Sequence, residues 1–219
     1  MTHNMGWPLI TTRQRSANQL RIGVFAASAL LLASMFVLLS PQKSLAQELA
    51  RDSASVIMYH RFGEDRYPST NIRIPQFEEH LALLTNGNYT VLPLPEIIKT
   101  LQAGGTLPDR TVAITIDDAY LSVYEQAWPR LKELGLPFTI FVATNPVEKN
   151  RRGYMSWDML RELQSQGVTI GSQTHTHPHL HRKSAEQVRQ EITTSNQVFL
   201  EELGMRPGLF GYPFGEYSR

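Results

Sequence analysis

One segment constrains the fold of this chain more than any other: Thr111–Tyr120, which reads Thr-Val-Ala-Ile-Thr-Ile-Asp-Asp-Ala-Tyr. Its first six residues are mostly β-branched with few polar atoms, which is typical of a strand buried on both faces of a parallel sheet. The strand ends in two carboxylates, Asp117 and Asp118, which are costly there unless they bind a ligand or take part in a reaction. In β/α architectures the active site lies at the carboxyl ends of the strands. We therefore interpret the pair as a candidate catalytic and metal-binding site, with the capping of a following helix as the alternative.

Strand and helix patterns alternate along the rest of the chain. Short apolar runs predict further strands at 54–59, 89–92, 137–143, 168–171 and 209–212. Amphipathic stretches predict helices that begin near Pro75, Pro95, Ala119, Trp157 and Ser184. This alternation is typical of the α/β class with a parallel sheet, and it predicts an incomplete (β/α) barrel.

Composition narrows the classes of function. The chain has 219 residues, enough for one sizeable core, and its 21 Lys and Arg nearly balance its 20 Asp and Glu. With no basic block in the body of the chain, nucleic acid is excluded as the main partner. The chain has no cysteine, so disulfides and thiolate sites are excluded. Any metal must therefore be held by His, Asp, Glu or water.

The N-terminus predicts a location. Basic residues precede the apolar run 22–39, and a small-x-small motif ending at Ala46 follows it. These are the parts of a secretory signal peptide, with an uncleaved membrane anchor as the alternative. We therefore assign 1–50 to a signal peptide or N-terminal membrane anchor and 51–219 to the folded domain. That domain is expected to be exported (periplasmic or otherwise extracytoplasmic) or anchored to the membrane, which it contacts through the N-terminal segment alone.

A second polar cluster, Gln173–His181, follows the predicted strand at 168–171. It contains four of the seven histidines of the chain within seven residues. Neutral imidazole is the commonest metal ligand, and two imidazoles with one carboxylate suit zinc or another divalent first-row ion. Such an ion lowers the pKa of bound water to about 7 and polarises a carbonyl, while a free aspartate can take the proton of the water. A solvated histidine-rich loop is the alternative.

Ordered motifs from about Val56 to Ser218 carry a resemblance to a known family. They are Met58–Phe62, Ile74–Glu78, Thr115–Tyr120, Met155–Asp158, Ile170–Ser172 with His177-Pro178, and Phe210–Gly215. On these motifs the chain resembles the polysaccharide deacetylase family, also called the NodB-homology domain or carbohydrate esterase family 4. The resemblance implies a distorted (β/α) barrel that removes N-acetyl groups from N-acetylglucosamine polymers or oligomers, or acetyl groups from related glycans.

The resemblance also implies roles for particular residues. Asp117 would be the general base, and Asp118 and His177 would be metal ligands. We therefore predict a metal-dependent hydrolase of the cell envelope that uses Zn²⁺ and acts on an N-acetylated glycan. The sequence leaves its oligomeric state open.

The sequence departs from the family's metal motif at one position. The motif has two histidines four residues apart, and the first of them falls on Gln173, a poor zinc ligand. We predict that His179 supplies the third ligand, with His175 or His181 as alternatives. Gln173 would then only orient a water molecule.

The family's Arg-Pro-Pro-Tyr-Gly type motif also differs here, because a glycine and not an arginine directly precedes Tyr212, Pro213, Phe214 and Gly215. We predict that these four residues form a wall of the substrate groove, together with His60. Ordinary turn and core roles are the alternative for the four.

A further departure concerns the C-terminal part of the domain, and two alternative functions stay open. The family carries a later Leu-x-His motif whose histidine protonates the leaving amine, and the chain reaches Arg219 without it. We therefore expect a domain whose C-terminal part is missing, so an inactive, truncated glycan-binding remnant is one alternative function. A metallohydrolase acting on amides outside carbohydrates is the other.

Overall fold

The structure is a computed structural model, and it describes residues 52–217. The predicted signal peptide or membrane anchor at 1–50 lies outside the described residues. Within residues 52–217, every helix is too short or too polar to cross a lipid bilayer.

A parallel sheet of five strands forms the centre of the domain. Its strands are β1 (Ser55–Tyr59), β4 (Thr90–Val91), β5 (Thr111–Asp117), β6 (Thr139–Val142) and β7 (Thr169–Ser172). They lie in the order β1-β5-β6-β7, and β4 pairs with the first residues of β5. A separate parallel pair is formed by β2 (Arg61–Phe62) and β3 (Asn71–Ile72).

Helices connect these strands. They are α1 (Ile74–Asn86), α2 (Leu94–Gln102), α3 (Trp128–Glu133), α4 (Thr144–Glu148), α5 (Trp157–Ser165) and α6 (Ala185–Leu203). The longest, α6, begins with a capping box in which Ser184 and Gln187 satisfy each other's backbone N–H groups. It ends at Gly204, whose φ of 68° is the left-handed conformation that glycine adopts without strain.

The central strand β5 is buried along almost its whole length, as its apolar sequence predicts. Its residues from Thr111 to Ile116 are all buried, and Asp117 is the first that is partly exposed. It pairs in parallel with β1 on one side and with β6 on the other. The two carboxylates that follow therefore lie at the carboxyl edge of the sheet.

The sheet does not close into a full barrel within the described residues. In this range β1 pairs with β5 alone, and its residues Val56 and Met58 are 54% and 60% exposed. At the opposite edge, Phe210 lies beside β7 and pairs with Ser172 through one parallel bridge. The predicted α/β class and incomplete barrel are therefore confirmed.

The helix expected from Ala119 begins later than predicted and in a different form. Its first turn, Val123–Ala127, is a π-helix, and α3 continues it from Trp128. Pro129 lies at this junction and has no N–H to donate to the carbonyl of Glu125, so the regular α-helical hydrogen bond is absent there.

We expect the Phe199→Ala variant to lose about 3–5 kcal/mol of the free energy of unfolding, because it leaves a cavity in the core. Phe199 on α6 is fully buried and packs edge-on against Trp157 of α5, with 5.9 Å between ring centroids. The adjacent Leu200 is 41% exposed. The Leu200→Ala variant should therefore change stability by no more than about 0.5 kcal/mol in urea unfolding. Equal losses for the two variants would contradict this packing.

Candidate active site

The two adjacent aspartates lie on a sharp backbone turn at the end of β5. Asp118 and Ala119 have φ values of 72° and 52°, in the left-handed region that side chains other than glycine rarely adopt. The backbone N–H of Asp118 donates to the carbonyl oxygen of Phe141 at 3.0 Å, which holds the turn against β6. The following helical segment has Ser122 at its N-cap position, so the aspartates lie outside the end of that helix.

The structure brings His177 to Asp118. The distance from His177 Nε2 to Asp118 Oδ1 is 3.4 Å, and the two side chains are 21% and 17% exposed. The imidazole and the carboxylate therefore lie within reach of one common ion. Burial lowers the pKa of His177, although the charge of Asp118 acts in the opposite direction. A lowered pKa favours the neutral imidazole, which is the form that binds metals.

The loop that carries His177 is fixed by a carboxylate from α6. Glu191 accepts hydrogen bonds from the backbone N–H groups of His175 and Thr176, at 3.1 and 2.7 Å. The N–H of His177 donates to Thr174 Oγ1 at 3.1 Å. These bonds hold His177 at a positive φ of 56°.

Asp117 has the surroundings of a general base. Burial raises the pKa of its carboxyl to about 6, and the charge of Asp118 adds to the rise. His60, whose Nε2 lies 3.9 Å from Asp117 Oδ2, and the Gln173 side chain both act against it. A carboxyl with a pKa near neutrality is suited to exchange protons with water.

Gln173 is placed at the base of the same cavity by close packing around one aromatic ring. A Cβ on Gly171 would lie 2.6 Å from the Phe141 ring, and a Cβ on Gly211 would lie 3.2 Å from it. Because Gly171 and Gly211 have no side chains, the end of β7 and the segment after Phe210 can both approach the Phe141 ring. Gln173 is 2% exposed, and its Oε1 has no hydrogen-bond partner among the described residues.

The other histidines of the cluster lie in different surroundings. His175 contacts α4, with its Nδ1 at 2.8 Å from Thr144 Oγ1 and 3.4 Å from Glu148 Oε2. His179 and His181 both point their Nδ1 atoms at Glu216 Oε2, at 2.6 and 3.1 Å. The structure thus pairs Asp118 with His177, and the identity of a third ligand stays a prediction.

A cavity of about 840 Å³ contains the aspartates and most of the predicted groove residues. Its lining includes His60, Asp117, Asp118, Gln173, His177, Tyr212, Phe214 and Gly215. Tyr212 and Phe214 are 54% and 56% exposed, so their rings are free to contact a ligand. Pro213 is buried and lies outside the lining.

Sequence reasoning missed an aromatic and basic side of this cavity. Tyr120 and Tyr154 line it with 4.9 Å between their ring centroids, and Arg151 lines it with its guanidinium carbon 5.5 Å from the centroid of the Tyr154 ring. Burial raises the pKa of Tyr120, so its hydroxyl stays protonated. The position of Tyr120 directly after Asp-Asp-Ala was a usable signal, whereas nothing in the sequence pattern around Tyr154 indicates it.

The sequence profile of a family described as polysaccharide deacetylase matches residues 104–219. The chain belongs to this family. The polysaccharide deacetylase profile spans β5, the histidine loop and Tyr212–Gly215, so the matched region includes every candidate site residue named above except His60.

Individual polysaccharide deacetylases resemble the chain at low identity. YxkH of Bacillus subtilis, to which the same family is attributed, is 26% identical over 165 residues, 74% of this chain and 57% of its own length. A poly-β-1,6-N-acetyl-D-glucosamine N-deacetylase of Staphylococcus aureus is 26% identical over 183 residues, 75% of this chain and 60% of its own length. The chain therefore spans less than two thirds of these curated relatives.

A solved structure shows the same fold. IcaB from Ammonifex degensii superposes with a TM-score of 0.67 at 26% sequence identity, over 76% of each chain.

Proposed function

We propose that the chain removes N-acetyl groups from N-acetylglucosamine-containing polysaccharides or oligosaccharides with the help of a divalent metal ion, zinc being our choice. The observation that carries the proposal is the meeting of Asp117, Asp118 and His177 in one cavity, at the carboxyl edge of a parallel sheet. The basic and apolar leader of the sequence supports a place for this reaction outside the cytoplasm.

The donor groups fit a divalent ion. Asp118 offers a carboxylate and His177 an imidazole whose lowered pKa favours the neutral form, only 3.4 Å apart. Gln173 stands where the resemblance expects a further imidazole, so we expect weaker binding than a site with three strong ligands. When bound, the ion would polarise the acetamide carbonyl and lower the pKa of the attacking water.

The residues of the chain supply the proton transfer. Asp117 takes a proton from the water as it attacks the carbonyl carbon, and the Gln173 side chain favours the ionised form that can do so. We place the donor to the oxyanion at a backbone N–H near Tyr212. The C–N bond then breaks as the protonated Asp117 gives the same proton to the departing nitrogen, which yields acetate and a glucosamine amine.

The cavity wall supports a sugar as substrate. Tyr212 and Phe214 present exposed rings beside the two aspartates, and aromatic faces pack well against the apolar faces of sugars. The Staphylococcus aureus relative is named for an N-acetylglucosamine polymer, which supports the same substrate class. Gln173 is a poor metal ligand at a position where the resemblance expects a histidine. This favours one alternative function, a protein that binds the glycan without hydrolysing it.

Acetate release from N-acetylglucosamine oligomers tests the proposal. The purified full chain, supplied with Zn²⁺, should release acetate from β-1,4- or β-1,6-linked oligomers. The Asp118→Asn variant, which keeps the shape of the side chain but loses its charge, should release none above background. Oligomer binding without acetate would overturn the deacetylase and favour the glycan-binding alternative. Equal acetate from parent and variant would contradict the proposed site.

A further inference from the structure

Three side chains that do not line the cavity converge near Phe214, which does line it. His179 precedes the short 3₁₀ turn Leu180–Arg182, His181 is the middle residue of that turn, and Glu216 follows a second such turn, Pro213–Gly215. One ring nitrogen from each histidine and one carboxylate oxygen of Glu216 all lie within 4.8 Å of one another. Among residues 52–217, this is the one group of three or more His, Cys, Asp or Glu residues that is close enough to hold a metal ion.

The distances in this group fit a small divalent ion. Ligand atoms at about 2.0–2.1 Å from a tetrahedral zinc ion lie about 3.3 Å from each other. Glu216 Oε2 lies 2.6 Å from His179 Nδ1 and 3.1 Å from His181 Nδ1. The two contacts of Glu216 therefore need to open only slightly to admit the ion, and two imidazoles with one carboxylate are ligands that zinc accepts.

The group also joins two segments that form the wall of the cavity. The Phe214 ring stacks on His179 at 4.0 Å with 13° between the planes, and it meets His177 edge-on at 4.6 Å. Phe214 has a φ of 61°, a strained backbone conformation for a phenylalanine. Hydrogen bonds between half-exposed side chains contribute little to holding such a conformation, whereas a coordinated ion could fix it.

We propose that His179, His181 and Glu216 form a second divalent-metal site, separate from Asp118 and His177, so that His179 is not the third ligand of the first site. This clasp site (His179, His181 and Glu216) ties the segment after Tyr212 to the histidine loop and so holds Phe214 against His177. It does not depend on the deacetylase reaction, because it concerns metal binding and local structure alone.

Arg182 opposes the clasp site in the metal-free protein. Its Nε–H donates to His181 Nε2 at 3.2 Å, so the proton of a neutral His181 lies on Nδ1, the atom that lies 3.1 Å from Glu216 Oε2. Metal binding at Nδ1 requires this proton to move to Nε2, and Arg182 must then turn away. Its positive charge beside His181 also disfavours a cation there.

Cobalt titration of the full chain tests the clasp site, because Co²⁺ bound by His and Glu gives visible absorption bands. After removal of metals with a chelator, His181→Gln and Glu216→Gln should each weaken one binding event by at least about tenfold, since even the loss of an outer partner costs that much. Asp118→Asn should retain this binding event. Arg182→Gln should bind Co²⁺ more tightly than the parent.

A second readout separates binding at the clasp site from any effect on catalysis. Added Co²⁺ should raise the thermal midpoint of the parent and of Asp118→Asn, and this rise should shrink in His181→Gln. Unchanged titrations of His181→Gln and Glu216→Gln would overturn the clasp site, as would the loss of all Co²⁺ binding in Asp118→Asn. Weaker binding in Arg182→Gln would also contradict it.

Discussion

The Asp117→Asn variant is expected to release acetate about 10²- to 10⁴-fold more slowly than the parent, which is the usual contribution of a general base. Asparagine keeps the size of the side chain and can still interact with Gln173, but it cannot take a proton from water. The comparison is made as kcat on an N-acetylglucosamine oligomer, with the metal content of both proteins measured in parallel.

The metal content makes this result specific to proton transfer. Asp117 lies next to the proposed ligand Asp118, so a disturbed turn would remove metal as well as activity. We expect the Asp117→Asn variant to hold as much metal as the parent. An unchanged kcat would show that another group accepts the proton, and a loss of metal together with activity would show that Asp117 is needed for metal binding rather than for proton transfer alone.

The Asp118→Ala variant is expected to lose one equivalent of bound metal relative to the parent and to release no acetate above background. The carboxylate of Asp118 lies 3.4 Å from His177 Nε2, and one imidazole alone is a weak site for a divalent ion. Metal content after dialysis and acetate release would be measured on the same samples. Retention of the full metal content would contradict the assignment of Asp118.

A substitution at Gln173 tests the same metal site in the opposite direction, because it is expected to strengthen metal binding. Gln173 lines the same cavity as Asp118 and His177, and it is almost fully buried. The Gln173→His variant should bind metal at least about tenfold more tightly, because imidazole is a far better zinc ligand than an amide oxygen. An affinity equal to that of the parent would show that position 173 does not reach the ion.

Much of the fold could be predicted because burial leaves a clear pattern in the sequence. The run from Thr111 to Ile116 predicted a central strand, and the structure buries each of these residues. The carboxyl ends of parallel strands meet at one edge, so Asp118 and His177 could be expected to lie near each other. The structure puts them in contact.

Other features depend on tertiary contacts that leave no local pattern. The left-handed turn at Asp118 and Ala119 is held by the carbonyl of Phe141, more than twenty residues away. The partner of His179 is Glu216, and no spacing rule joins positions so far apart. Alternating histidines in a loop do not reveal which way each ring points, so the separate environments of His175 and His177 could not be predicted.

Because of the packing around Phe141, three positions that are far apart in the sequence cannot change independently of one another. Because one ring fills the space that a side chain at Gly171 or Gly211 would need, a change at any of the three alters what the other two can accept. The ring therefore sets the separation between the strand that leads into the histidine loop and the segment that leads into the aromatic wall. The width of the proposed catalytic cleft therefore depends on Phe141, a residue that takes no part in the proposed reaction.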